Sequence, residues 1–139
     1  MKKPMIIFLI FIIILVVLYI GESVYIGIVV HSIVLESYNT YGENNIYSDT
    51  VSDSIFKEMC YRNGYPLSAK ERVDVKEINS LSFPLTIHWV FGGKATYWYT
   101  YEIYDENGEL AGGSSQIPVT INFEIQQGKM KITDYDEEP

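Results

Sequence analysis

Residues 119–135, VTINFEIQQGKMKITDY, decide the architecture of this chain. Val119, Ile121, Phe123 and Ile125 alternate with Thr120, Asn122, Glu124 and Gln126, a period of two that gives a strand one apolar and one polar face. Gln127-Gly128 breaks the alternation with turn chemistry, and a second strand follows from Lys129 to Asp134, so the stretch reads as an antiparallel hairpin. A lone hairpin is marginal in water; it needs further strands or a helix against its apolar face.

Residues upstream supply both. Leu85, Ile87, Trp89 and Phe91 alternate with Thr86, His88 and Val90, and Val73 and Val75 alternate with charged residues. Turn signals at Gly92-Gly93, Asp105-Glu106-Asn107-Gly108 and Gly112-Gly113 divide the region into five or six short strands. Before them the period is helical: Val51, Ile55 and Met59 recur every fourth residue beside Phe56 and Cys60. Ser48 or Asp49 serves as cap, and Asn63-Gly64 with Pro66 as stop. The expected class is α+β, with helices packed on a curved antiparallel sheet.

The Tyr-rich strand poses a question of register, because Ala95, Tyr97, Tyr99, Tyr101 and Ile103 alternate with Thr96, Trp98, Thr100, Glu102 and Tyr104. A two-residue loop at Gly92-Gly93 sets the Leu85, Ile87, Trp89 face beside Thr96, Trp98 and Thr100. A three-residue loop through Lys94 sets it beside Tyr97, Tyr99 and Tyr101. The second is favoured because it keeps Ile103 in the core and Glu102 in water. Trp89, Tyr97, Tyr99 and Tyr101 are then the candidate lining of a pocket, and Trp98 faces outward as a candidate partner contact.

Residues 5–20, MIIFLIFIIILVVLYI, carry no charged side chain, and Lys2 and Lys3 precede them. Extended by Pro4 and Gly21, the run suits a bilayer-spanning anchor over 5–21. The next basic residue is Lys57, so the positive-inside rule places residues 1–4 in the cytoplasm and the rest of the chain outside, as a single-pass signal-anchor protein of the cell membrane. Cleavage as a signal peptide is disfavoured, since a cut after Gly21 leaves Tyr19 at −3. Residues 24–35 are apolar but too short to span alone. They read as a continuation of the anchor that packs under the domain, with a helical hairpin as the alternative. Helical spacing puts Val24, Ile28, His31 and Leu35 on one side, with Ile26, Val30 and Ile33 beside them. The organisation expected is anchor 5–21, juxtamembrane helix and connection 22–47, α+β domain 48–134, and an acidic frayed tail 135–139.

From Ser37 onward there are eight Lys or Arg and sixteen Asp or Glu, so the net charge of −8 belongs wholly to this region. Nucleic acid is excluded as a partner on that balance, because its affinity rests on cations displacing counterions. No metal site is expected: His31 and His88 stand far apart without ligand spacing, and residues 105–109 are too short for a calcium loop. Cys60 is alone and reads as a small core residue. No serine lies in a Gly-x-Ser-x-Gly elbow. Neither a catalytic residue nor a cofactor is assigned, and the chain is not expected to be an enzyme.

The closing hairpin, above all Gly128-Lys129-Met130-Lys131-Ile132, resembles the last hairpin of cystatin-like and NTF2-like domains. The resemblance covers about Ser48 to Asp134. It implies a sheet wrapped around a helix and, for membrane-anchored members, an assembly or accessory role; no catalytic residue of the family maps onto this chain. The function expected is therefore a membrane-anchored, extracytoplasmic interaction or accessory module with a protein partner. A small-molecule receptor or carrier with an aromatic pocket between sheet and helix is the alternative.

Overall fold

A computed structural model describes residues 3–60 and 76–138. The expected strand at Val73 and Val75 and the helix stop at 63–66 lie outside the described residues.

The apolar run and the segment after it form one helix, α1, Lys3–Asn39, of 37 residues. Nothing between Ile20 and Val24 breaks it, so the two segments expected as anchor and juxtamembrane helix form one rod. It ends where Tyr41 and Gly42 take positive φ and the Gly42 N–H donates to the Ser37 carbonyl at 2.7 Å, which satisfies a carbonyl of the last turn. No residue of its most apolar window is buried, and the helix is long and apolar enough to cross a membrane. Burial begins near Ile26 and follows Val30, Ile33, Val34, Ser37 and Tyr38, a stripe at helical spacing. The stripe is the Ile26, Val30, Ile33 side. Val24, Ile28 and Leu35, expected to share a face, are exposed.

A short helix, α2 (Asp53–Glu58), follows. Its cap is Ser52 rather than Ser48 or Asp49, and residues 48–50 form a turn. Val51, Phe56, Met59 and Cys60 are buried, and the Ser37 hydroxyl donates to the Phe56 carbonyl at 2.7 Å, tying α2 to α1.

Five strands complete the described domain: β1 (Lys76–Leu81), β2 (Leu85–Trp89), β3 (Gly92–Tyr104), β4 (Leu110–Gln126) and β5 (Lys129–Glu137). All pairings are antiparallel. β3 pairs with β4, and β4 with β5, while β1 and β2 follow one another along the other edge of β3. One face of this sheet, with Ala95, Tyr97, Tyr99, Tyr101, Val119, Ile121, Phe123 and Ile132, packs on the buried stripe of α1 and on α2. The class is α+β: an antiparallel five-stranded sheet on a long N-terminal helix.

Three boundaries depart from the sequence expectation. The Gly112-Gly113 pair lies inside β4, not at a turn. β5 runs on to Glu137, so Tyr135 and Glu137 belong to the sheet rather than to a frayed tail. The β2–β3 turn is Val90-Phe91, with Trp89 opposite Gly92 and His88 opposite Gly93. The glycines are needed within the strand because the backbones crowd there. A Cβ on Gly93 would come within 2.4 Å of the Ile87 carbonyl, and one on Gly92 within 2.4 Å of the Phe123 carbonyl. The turns at Asp105–Glu109 and Gln127-Gly128 lie as expected. Asp105 Oδ1 accepts from the N–H groups of Asn107 and Glu109, and Gln127 and Gly128 both take positive φ.

Candidate functional site

The turn position decides where the predicted site residues go. Tyr97, Tyr99 and Tyr101 share the buried face of β3, and Tyr99 stacks on Tyr101 with ring centroids 6.2 Å apart. Tyr38 of α1 meets Tyr99 edge-on at 6.4 Å. Trp89 does not join them. The face of β2 that packs inward is Thr86 and His88, and Leu85, Ile87 and Trp89 point outward, with Trp89 57% exposed. Both registers weighed from the sequence placed the turn on the glycines; moving it to Val90-Phe91 inverts the favoured assignment. The pocket lining of Trp89, Tyr97, Tyr99 and Tyr101 is therefore not one constellation: its tyrosines are packed into the core and its tryptophan is on the other side of the sheet.

The tyrosine cluster is closed by β5. Tyr99 donates to Glu137 Oε1 at 2.8 Å and Tyr135 to Glu137 Oε2 at 3.0 Å. Burial pushes the Tyr97 phenol well above its ordinary range, and the neighbouring Tyr135 and Tyr38 act in the same direction. Tyr99 and Tyr135 are raised as well, first by burial and then by the Glu137 carboxylate. Phenols held neutral in this way serve as hydrogen-bond donors and packing groups; none is poised to act as a base at neutral pH.

Trp98 lies on the outward face, 40% exposed, beside a shallow depression of about 420 Å³ formed by Ser80, Ser82, Thr100 and Gln116. Its backbone is fixed against Ser82, whose N–H donates to the Trp98 carbonyl at 2.8 Å and whose hydroxyl accepts from the Trp98 N–H at 2.9 Å.

A larger concavity lies where α1 leaves the domain. Tyr19, Glu22, Tyr25, Ile26 and Val29 form one wall. The β2–β3 turn (His88, Trp89, Val90) and the β4–β5 turn (Ile125, Gly128, Lys129, Met130) form the others, with Asp49 and Thr50 at the end. The groove measures about 900 Å³, is open along one side and is mainly apolar, with Glu22, Asp49 and Lys129 as its charges. His88 anchors it: its ring stacks on Tyr19 at 4.5 Å and 10°, its backbone N–H donates to the Tyr19 hydroxyl at 3.3 Å, and ring Nε2 lies 3.4 Å from the Tyr19 carbonyl. The two hairpin tips are joined by the Ile125 N–H donating to the Phe91 carbonyl at 2.8 Å. Sequence reasoning missed this groove because its walls are far apart in the chain. The one local signal was Tyr19, Glu22, Ile26 and Val29 at helical spacing.

Among the described residues no group of three His, Cys, Asp or Glu side chains is arranged to hold a metal ion. Comparison with protein-family models, with curated proteins and with solved structures gives no match for this chain.

Proposed function

We propose that this chain is a single-pass, membrane-anchored interaction or accessory module, with its N-terminus in the cytoplasm and its sheet domain outside. The observation that carries the reading is the double role of α1. Its first part presents an unbroken apolar surface to the surroundings, and its last part, from Ile26 to Tyr38, is the central element of the domain core. A soluble protein would leave that surface in water at great cost, whereas a bilayer covers it. Since one rod serves both parts, the domain is held at a fixed height and angle over the membrane. Lys2 and Lys3 before the helix, with the next Lys or Arg only at Lys57, support the orientation. Sheet, helix and closing hairpin remain compatible with a cystatin-like or NTF2-like ancestry, which we retain as part of the proposal. The exposed Trp98 on a polar depression is the surface offered to a protein partner.

The orientation is tested in intact cells with a membrane-impermeant maleimide, using single-cysteine chains in a Cys60→Ala background. Asn107→Cys, at an exposed turn, is expected to be labelled before lysis, and Lys3→Cys only after it. The reverse pattern refutes the orientation. The partner surface is tested by a photoreactive residue at position 98, which is expected to give a discrete crosslinked species; the uncrosslinked chain alone would count against it. A second reading, a carrier of an amphiphilic small molecule, is favoured by the groove beside α1, since an apolar trough with charges at its rim suits a chain-like ligand.

A further inference from the structure

The β2–β3 hairpin exposes an unusual set of side chains. Ile87 is 64%, Trp89 57%, Val90 77% and Phe91 75% exposed, contiguous at one end of the molecule. Leu85, 62% exposed, extends the same apolar surface along the strand. From Leu81 to Gly93 the sequence holds no Asp, Glu, Lys or Arg. A patch of this kind on a domain otherwise rich in acid needs a covering medium.

Its position along α1 identifies that medium. The Phe83 ring packs near His31, with centroids 6.3 Å apart, and His88 stacks on Tyr19, so β2 runs antiparallel to the helix and descends toward the N-terminus. The lengths agree: His31 to Tyr19 covers about 18 Å of helix, and Phe83 to His88 about 17 Å of extended chain. Val90 and Phe91 reach about 5 Å further, to the level of Val16. The uncharged part of the helix, bounded by Lys3 and Glu22, is about 27 Å long, close to the ~30 Å of a bilayer core. Val16 lies about 9 Å below Glu22 on that scale. The hairpin tip thus stands beside helix surface that lies in lipid if α1 spans.

We propose that the β2–β3 hairpin dips into the leaflet on the domain's side of the membrane, with Ile87, Trp89, Val90 and Phe91 among the acyl chains. The inference rests on the anchoring read above. The patch is continuous with the lipid-facing surface of α1, and the depth matches that of an interfacial segment, about 5–10 Å. The backbone is prepared for it, since the Phe91 carbonyl accepts from Ile125 and the His88 N–H donates to Tyr19, which leaves fewer polar groups to pay for in hydrocarbon. Lys94, exposed on the outward face opposite Ile87, and Lys129, on the neighbouring turn at the level of the tip, have apolar stems long enough to carry their ammonium groups up toward the phosphates. Trp89 takes the place that tryptophan favours at a membrane interface.

The test uses the full chain in phosphatidylcholine vesicles containing a phospholipid brominated in its acyl chains. In the Trp98→Phe chain the remaining Trp89 is expected to lose most of its emission to the bromine and to emit at shorter wavelength than Trp98 does. In the Trp89→Phe chain, Trp98 is expected to keep its emission and to be quenched by acrylamide from the water. A third chain carries Phe11→Trp in a Trp89→Phe, Trp98→Phe background and reports the anchor alone. Strong bromine quenching of that reporter without quenching of Trp89 overturns the hairpin proposal and leaves the anchor standing. Absence of quenching at both overturns the anchor as well. A Trp89 protected from bromine and acrylamide alike assigns the patch to a protein neighbour and likewise overturns the proposal.

Discussion

Raising the pH through the tyrosine range should unfold this domain through Tyr97. Its phenol is 1% exposed on β3, and burial holds it protonated well above the ordinary value of about 10. The unfolded chain releases that proton near pH 10, while the folded chain keeps it. Below that pH the two states bind the proton equally, and stability does not depend on it. Above it the folded state binds one proton more, so the free energy of unfolding falls by about 1.4 kcal/mol per pH unit. The loss continues for as long as the folded chain keeps the Tyr97 proton, and it draws on the roughly 5–15 kcal/mol typical of a domain. Tyr99 and Tyr135 act in the same direction, since both are raised by burial and by Glu137. The assay is urea unfolding of the full chain in detergent over this pH range, followed by tryptophan emission, with tyrosinate absorbance recorded in parallel. Stability should fall steeply above pH 10, and Tyr97→Phe should reduce the slope by about one proton's worth. An unchanged slope in Tyr97→Phe, or ionisation of all twelve tyrosines near pH 10 in a chain still folded, refutes the reasoning.

Two further outcomes follow from single contacts. Ser37→Ala removes the 2.7 Å hydrogen bond to the Phe56 carbonyl and leaves that acceptor buried, so the denaturation midpoint should drop by the equivalent of about 1–3 kcal/mol. Gly93→Ala drives a methyl against the Ile87 carbonyl and the His88 Cα and should cost on the order of 3 kcal/mol. Gly112→Ala, with open space around it, should stay within about 0.5 kcal/mol in the same unfolding assay.

Alternation along β3 and β4 was readable because both faces of those strands meet different media, core on one side and water on the other. Ala95, Tyr97, Tyr99 and Tyr101 face inward for the same reason that Val119, Ile121 and Phe123 do, and Trp98 faces outward with the polar set. The helical period of residues 24–35 was equally plain, but its burial was not, since apolar residues surround the rod and only contact with the sheet selects Ile26, Val30 and Ile33. The groove was beyond reach, because Tyr19, His88 and Met130 converge only through the register of two hairpins.

β2 is the instructive failure. Leu85, Ile87 and Trp89 form a regular apolar face, and in a water-soluble domain that face would be the buried one. Here Thr86 and His88 are buried instead, His88 held by the stacked Tyr19 and its two polar contacts. Glycine misled in the same place: Gly92-Gly93 reads as a turn, yet both sit where three strands crowd and no side chain fits, which pushes the turn onto Val90 and Phe91. Turns with two large apolar residues are costly in water and inexpensive in lipid. Period two thus reports that the two faces of a strand differ, without naming the medium on either side. Where a neighbouring helix is long and apolar enough to cross a bilayer, the apolar face can be the outer one, and the inversion of β2 is the structural counterpart of the hairpin's proposed insertion.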